Sequence, residues 1–256
     1  MNNGCKTKKY LGQHFLIDEQ ISERISEAIS KSKKINLLEI GPGTGALTKF
    51  LFHENIDLTS YELDTESITY LKNAYPTLKV HNEDVLKTDW TKIFKGNYSV
   101  TGNFPYNISS QILFKIYENR TIIDEMVGMF QKEVAERVCS GPGTKKYGIL
   151  SVLIQAYYDV EYLFTVNEEV FNPPPKVKSG IIKITRNNII ELDCDEKLFL
   201  RVVKAIFNQR RKMARNSLKS LLGDKKIDHV LLTKRPEELS IENFIEITKM
   251  IESKIN

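Results

Sequence analysis

A short segment of the sequence combines an amide, two aromatic rings and a proline. It runs Ser99-Val-Thr-Gly-Asn-Phe-Pro-Tyr106, beginning as an apolar strand and ending in polar and aromatic groups. Pro105 fixes its own φ and holds Phe104 in extended geometry, so the Asn103 amide and two ring faces are held at a strand end. In an open α/β sheet, ligands bind beyond the carboxyl ends of the strands. The alternative is a β-turn with Asn103 at a polar corner and both rings, Phe104 and Tyr106, in the core.

This segment resembles the catalytic motif of the adenine-N6 methyltransferases. The amino nitrogen of adenine is a poor nucleophile because its lone pair is delocalised into the ring. The resemblance implies that the Asn103 side-chain oxygen and the Phe104 backbone carbonyl each accept one of its N–H groups, which draws the nitrogen toward tetrahedral geometry. Tyr106 would stack on the base after that base has left its own stack. Asn103, Phe104 and Tyr106 are therefore predicted catalytic residues.

A glycine-rich turn, Gly41-Pro-Gly-Thr-Gly-Ala46, follows the first predicted strand, Ile35 to Ile40. Glycines let the backbone approach a ligand closely, and the helix that follows offers free N–H groups. No Gly-Lys-Ser/Thr follows, which excludes a P-loop, but the spacing also satisfies a permissive dinucleotide fingerprint and leaves an NAD enzyme open. Together with Glu39, the turn resembles the cofactor loop of class I S-adenosylmethionine methyltransferases. The resemblance implies that Gly41 and Gly43 contact the cofactor.

Two acids follow the next predicted strands. Glu62 closes the strand Leu58 to Leu63, about 20 residues after the first glycine, where an acid grips the ribose hydroxyls in both cofactor classes. Asp84 follows a third strand, Leu78 to His81. In methyltransferases an acid at this place accepts a hydrogen bond from the adenine amino group of the cofactor. The alternative is that Asp84 is an exposed capping carboxylate. Asp64 is predicted to cap the next helix. The strand and helix alternation predicts an α/β fold, a Rossmann-like doubly wound and mostly parallel sheet.

Two further segments resemble motifs of the ribosomal RNA adenine dimethyltransferases. One is Gly12-Gln-His-Phe-Leu16, and the other runs Phe171-Asn-Pro-Pro-Pro-Lys-Val-Lys-Ser179. The resemblance implies that His14 and Leu16 line the cofactor site and that Phe171 covers the face of the target base opposite Tyr106. From the residues alone, a lone histidine such as His14 is more often structural than ligand-binding. Phe171 could as well be a core residue as a residue of the site. This chain departs from many relatives, which carry Asn in place of His14 and Leu in place of Phe104.

The C-terminal part of the sequence is predicted to be helical, over 195–208, 212–222 and 241–253. Seven basic residues and no acid lie between Arg201 and Ser220. They are Arg201, Lys204, Arg210, Arg211, Lys212, Arg215 and Lys219. Like charges in such a cluster repel one another unless phosphate groups neutralise them, so the cluster predicts an RNA-binding surface. The alternative is a solvated helix face. Phe207-Asn-Gln-Arg-Arg-Lys212 also resembles the C-terminal element of the same dimethyltransferases.

The polar break before this region predicts two domains, a methyltransferase domain at 1–188 and a small all-α RNA-binding domain at 189–256. Composition is that of an ordinary globular protein of 256 residues, 41% hydrophobic and 27% charged, with a net charge of +4. Its three cysteines lie far apart and its four histidines lack metal spacing, so neither a disulfide framework nor a metal is expected. With no apolar run of membrane length, we expect a cytoplasmic protein.

The resemblance covers nearly the whole chain and implies one function. The chain would dimethylate the N6 amino groups of two adjacent adenosines near the 3′ end of 16S rRNA, using S-adenosylmethionine and acting as a monomer on an immature 30S ribosomal subunit. Two alternatives remain open. One is a 23S rRNA adenine N6-methyltransferase of the resistance type. The other is a non-catalytic ribosome-assembly factor, although intact Glu62, Asp84 and Asn103 argue against lost activity.

Overall fold

The structure, a computed structural model, describes residues 8, 12–30, 34–223 and 225–255. It divides the chain into two compact units. Unit 1 takes the chain up to Ala135 together with Val160–Arg186, and unit 2 takes Glu136–Asp159 and the chain from Asn187 onward.

Strands and helices alternate along the first part of the described chain, and helices dominate the last part. The strands are β1 (Phe15–Leu16), β2 (Ile35–Ile40), β3 (Ile56–Tyr61), β4 (Lys79–His81), β5 (Tyr98–Asn103), β6 (Ile123–Gln131), β7 (Tyr158–Val166), β8 (Phe171–Asn172) and β9 (Ser179–Arg186). The helices are α1 (Glu19–Ala28), α2 (Thr48–Leu51), α3 (Thr65–Ala74), α4 (Ser109–Glu118), α5 (Lys132–Cys139), α6 (Ile149–Gln155), α7 (Glu196–Asn208), α8 (Ala214–Ser217), α9 (Lys219–Leu222) and α10 (Ile241–Ile255).

Seven strands form one sheet in the order β4-β3-β2-β5-β6-β9-β7. β2 is parallel to β3 and β5, β3 to β4, and β5 to β6, while β6 and β9 run antiparallel. The predicted mostly parallel α/β sheet is therefore confirmed. The chain leaves β2 toward β3 and returns to β5 on its other side, and that reversal of strand order opens a crevice beyond the carboxyl ends of β2 and β5.

Several element bounds differ from those predicted. β3 ends at Tyr61, so Glu62 lies directly after the strand and not inside it. The helix that begins at Ile149 stops at Gln155 although the apolar residues continue to Tyr158, because the chain from Tyr158 forms a strand of the large sheet. Here tertiary pairing outweighs the local apolar pattern.

A second, two-stranded sheet was not predicted. β1 and β8 pair antiparallel, with Phe15 opposite Asn172 and Leu16 opposite Phe171. The backbone N–H of Ile17 extends this pairing by donating to the Val170 carbonyl at 2.9 Å. The small sheet thus joins the N-terminal motif to the proline-rich segment.

Aspartate side chains cap two of the helices, and the cap predicted at Asp64 is confirmed. The Asp18 carboxylate accepts from the backbone N–H groups of Gln20 and Ile21 at the start of α1. The Asp64 carboxylate accepts from the Glu66 N–H at the start of α3. In both helices the side chain satisfies a donor that has no partner within the helix.

Unit 2 contains helices from two separate stretches of the chain. The Tyr157 hydroxyl donates to Glu196 at 2.6 Å, and the Tyr147 and Phe207 rings meet edge-on at 5.8 Å. These contacts are the physical reason that Glu136–Asp159, which the prediction assigned to the first domain, groups with unit 2. The domain bounds at 1–188 and 189–256 stay a prediction. The helix predicted over 212–222 is broken into α8 and α9.

No helix among the described residues is both long and apolar enough to cross a membrane.

Candidate active site

A cavity lies within unit 1 where the strand order reverses, and its empty space is about 1130 Å³ when the open solvent around its mouth is included. With the exception of Phe171, all the predicted catalytic and cofactor residues line it. They are His14, Leu16, Gly41, Gly43, Glu62, Asp84, Asn103, Phe104 and Tyr106. Residues from separate motifs therefore meet at one place, as ligand binding at a topological switch point requires.

Asn103 is the last residue of β5 and is half-buried at the cavity. Its side-chain Nδ2 donates to the backbone carbonyl of His14 at 2.9 Å. Because a carbonyl oxygen can only accept, the amide nitrogen faces His14 and Oδ1 points the other way. In the described part of the chain no donor is bonded to Oδ1, which leaves it as an acceptor for a ligand.

Phe104 contributes its backbone to the site and its ring to the core. The ring is 1% exposed and lies 4.9 Å from that of Phe130. Gly128 makes room for it, since a Cβ at that position would lie 2.2 Å from the ring. The Phe104 N–H donates to the Met129 carbonyl at 3.2 Å, while no described donor is bonded to the Phe104 carbonyl.

Tyr106 is held between two groups. Its hydroxyl lies 2.6 Å from the Ser179 Oγ, and its ring centroid lies 5.4 Å from that of His14 at an interplanar angle of 31°. The His14 Nδ1 is 2.8 Å from the Pro173 carbonyl, so in the neutral ring Nδ1 carries the proton. Burial raises the pKa of Tyr106, which keeps the phenol uncharged near neutral pH.

The glycine turn and Glu62 form a single hydrogen-bonded unit. Gly41 and Gly43 have φ of +67° and +55°, in the left-handed region that favours glycine. The Gly43 N–H donates to Glu62 Oε2 at 3.0 Å, and the N–H groups of Leu63 and Asp64 donate to Oε1 at 2.8 and 2.9 Å. Burial raises the pKa of Glu62, and these three backbone donors partly offset that rise.

Glu39 lies beneath this turn as a second carboxyl in the wall of the cavity, and the side chain is fully enclosed, with the residue 1% exposed. The Thr48 hydroxyl lies 2.8 Å from Oε2, and the Ser60 hydroxyl lies 3.2 Å from the same oxygen. Burial raises the pKa of Glu39 to about 7 despite these donors. A carboxyl with so high a pKa costs stability when it ionises, and a cationic ligand in the cavity would favour the ionised form.

Asp84 lines the cavity, and its carboxylate accepts a backbone hydrogen bond within a turn, with no helix beginning there. Oδ1 accepts from the Leu86 N–H at 3.0 Å, and the side chain keeps 30% of its surface exposed. Leu63, which the sequence analysis missed, lines the cavity with 48% of its surface exposed. An apolar residue directly after an acid at a strand end was the available signal.

The polar contacts that Lys8 and Gln13 make with Asp64 were also missed. The Lys8 ammonium forms an ion pair with Asp64, and the Gln13 amide lies 3.5 Å from the other Asp64 oxygen. The Lys8 N–H in turn donates to Gln13 Oε1 at 2.8 Å. Asp64 therefore holds this segment at the cavity in addition to capping α3.

The structure differs from the prediction at Phe171. Its side chain is 2% exposed in the core cluster with Leu16 and lines a second cavity, whereas Tyr106 lines the first. The physical reason is the register of β1 and β8, which sets Phe171 opposite Leu16. The structure therefore does not bring Phe171 and Tyr106 together on two faces of one pocket.

The seven predicted RNA-binding residues lie in unit 2 on α7, on α8, at the start of α9 and in the turn between α7 and α8. Six of them are exposed, and Arg210 is half-buried, where its Nη2 donates to the Thr144 carbonyl at 3.3 Å. Apart from Lys204, none forms an ion pair with an acid in the described parts of unit 2. Their charge is therefore left largely uncompensated.

Comparison with known proteins gives a consistent result. The family model described as ribosomal RNA adenine dimethylase matches residues 4–253. A ribosomal RNA small subunit methyltransferase A of Parabacteroides distasonis is 58% identical over 247 residues, covering 95% of this chain and 93% of the relative. One of Flavobacterium johnsoniae is 54% identical over 252 residues, covering 97% of each.

Solved structures share the fold. A dimethyladenosine transferase from Plasmodium falciparum has a TM-score of 0.77 at 26% identity, covering 94% of this chain and 98% of that one. The 23S rRNA methyltransferase ErmE has a TM-score of 0.68 at 24% identity, covering 92% and 99%, a likeness that concerns the fold alone.

Proposed function

The chain belongs to the ribosomal RNA adenine dimethylase family, and from this we propose that it dimethylates the N6 amino groups of two adjacent adenosines near the 3′ end of 16S rRNA. It is a methyltransferase with a Rossmann-like fold. The observation that carries the proposal is the pair of unbonded acceptors at the end of β5, Asn103 Oδ1 and the Phe104 carbonyl. Two acceptors on consecutive residues match the two N–H groups of an adenine amine.

These acceptors act by position. Each takes one N–H of the amine, so the nitrogen lone pair is withdrawn from the ring and directed at the methyl donor. The Asn103 amide is already turned for this task by the His14 carbonyl, which reduces reorganisation when the base binds. The Tyr106 ring offers an apolar face for the extruded base. Each transfer replaces one N–H with a methyl group and releases that proton, so the monomethylated amine keeps one N–H and is held by one of the two acceptors when the second methyl group is added.

The donor side of the cavity fits S-adenosylmethionine, which supplies an electrophilic methyl group on a sulfonium when bound. The glycines at 41 and 43 adopt left-handed φ, and a Cβ on Gly43 would lie 3.0 Å from the Phe15 ring, so a larger residue does not fit this part of the turn. In this proposal Glu62 would accept hydrogen bonds from the ribose hydroxyls of the donor, and Asp84 would accept one from its adenine amine. Burial raises the pKa of both Glu39 and Glu62 in this wall of the cavity, and a cation bound there would favour their ionised forms.

Unit 2 would hold folded RNA through its exposed basic residues, which contact phosphate independently of sequence. The relatives named above are small-subunit enzymes, and the substrate we infer is 16S rRNA within an immature 30S subunit. A cytoplasmic location and a monomeric state belong to the same proposal.

The test is methyl transfer from radiolabelled S-adenosylmethionine to small subunits from cells that lack this modification. We expect label at two adjacent adenosines near the 3′ end of the RNA, mapped by primer extension. Asn103→Ala should keep donor and RNA affinity and lose transfer. Label on large-subunit RNA, or none with the wild-type chain, would refute the proposed function.

A further inference from the structure

Ser179 is a completely buried polar residue that was not predicted as part of the site. It is the first residue of β9, pairs with Gln131 of β6 and is 0% exposed. The Lys132 N–H donates to the Lys178 carbonyl at 2.9 Å, which fixes the chain just before it. Ser179 is therefore held by the main sheet.

The Ser179 hydroxyl forms a hydrogen bond of 2.6 Å with the Tyr106 hydroxyl, in which either group can donate. Tyr106 follows Pro105 in the turn after β5, outside any strand or helix, and it lines the cavity. One bond thus links a residue at the cavity to a residue that the sheet holds in place.

The geometry of a tyrosine shows what this bond controls. The phenolic oxygen lies on the long axis of the ring, so the bond fixes the direction of that axis and hence χ1. Rotation of the ring about its axis is limited instead by the His14 ring, at 5.4 Å and 31°. We propose that Ser179 is a positioning residue for methyl transfer, which aims the Tyr106 ring so that its face receives the target base.

This inference rests on the proposed function, in which Tyr106 stacks on the base. A base that binds against a swinging ring still enters the pocket, but its amine is less often aligned with Asn103 and the methyl donor. Ser179 therefore acts on the rate of transfer from the bound complex more than on binding of the donor.

The experiment compares single-turnover methyl transfer at saturating RNA and donor for Ser179→Ala, Tyr106→Phe and the double variant. Loss of one neutral hydrogen bond predicts a rate reduced by about 3- to 10-fold in each single variant. The double variant should be no slower than either single variant, because both remove the same bond. The KM for the donor should not change.

Ser26→Ala is the matched control. Its buried hydroxyl donates to the Phe50 carbonyl at 3.1 Å, so the variant loses a buried hydrogen bond in unit 1, and Ser26 itself does not line the cavity. We expect it to leave the transfer rate unchanged. A normal rate for Ser179→Ala, or single effects that multiply in the double variant, would overturn the inference.

A second measurement does not depend on activity. Three-bond NMR couplings that report χ1 of residue 106 should indicate one rotamer in the wild-type chain and averaging in both Ser179→Ala and Tyr106→Phe. If Ser179→Ala does not fold, Tyr106→Phe carries both measurements. An inactive wild-type chain would refute the proposed function, whereas an active wild type with unaveraged couplings in the variants would refute only the role of Ser179.

Discussion

Replacement of Glu39 by glutamine should stabilise the protein at neutral and alkaline pH. The pKa of Glu39 is raised by burial from 4.5 to about 7, so between these values the folded chain holds a proton that the unfolded chain has released. The free energy of unfolding therefore falls as pH rises through this window. A pKa higher by about 2.5 costs the folded state about 3 kcal/mol above pH 7.

The glutamine variant lacks this cost because its side chain does not ionise. It keeps one oxygen that can accept from the hydroxyls of Thr48 and Ser60, and its NH₂ requires one of them to turn and accept, at a cost of about 1 kcal/mol. The net expected gain at pH 8 is about 2 kcal/mol, or about 4–8 °C in Tm. At pH 4.5 the order should reverse, with the wild type slightly more stable.

Urea unfolding between pH 4.5 and 8.5, followed by tryptophan fluorescence, measures this difference. The chain has a single tryptophan, Trp90, which is buried in unit 1 with Glu39, so the signal reports the correct unit. Glu54→Gln, at an exposed carboxylate, is the control and should leave the pH dependence as in the wild type. Parallel pH curves for Glu39→Gln and wild type, or a less stable variant at pH 8, would refute the reasoning.

Three further predictions concern binding and transfer. Gly43→Ala places a Cβ 3.0 Å from the Phe15 ring at φ +55°, so we expect the free energy of unfolding to fall by about 1–2 kcal/mol and the KM for the donor to rise. Thermal unfolding and initial rates measure these two effects. An unchanged KM would contradict a close approach of the donor to this turn. The side chain of His14→Asn can still donate to the Pro173 carbonyl, so this variant should keep most of the transfer rate. His14→Leu should transfer about 10-fold more slowly, which corresponds to a barrier higher by about 1.4 kcal/mol. Equal rates for the two variants would contradict a role for this hydrogen bond. Reversal of charge at 210–212 should weaken RNA binding and reduce the slope of log K against log salt concentration by about one for each phosphate that is no longer neutralised. Filter binding measures this slope, and the affinity for the donor is the control. An unaltered slope would count against this surface.

The sequence predicted nine of the residues that line the cavity because each motif is a local unit. A strand, a glycine turn and an acid at the next strand end specify their geometry within a few residues, and the parallel sheet brings such ends to one edge. Gly41, Gly43, Glu62, Asp84 and Asn103 were all found in this way. Leu63 was missed although it directly follows an acid at a strand end. The Lys8 ion pair was missed because no local pattern distinguishes this lysine from ordinary surface residues.

Interactions between distant parts of the chain decided the rest. The bond that turns the Asn103 amide spans 89 positions, the Tyr106–Ser179 bond 73 and the His14–Pro173 bond 159. The register of β1 and β8 likewise buried Phe171, although its motif predicted a place at the base.

The amino-acid sequence by itself determined the class of fold, and it predicted the glycine turn and the end of β5 as parts of the site. Only the tertiary structure decided which way the Asn103 amide points, what holds the Tyr106 ring and where Phe171 lies. The physical reason is that strand, turn and cap preferences act over a few neighbouring residues, whereas side-chain orientation depends on partners that the chain supplies from far along its length.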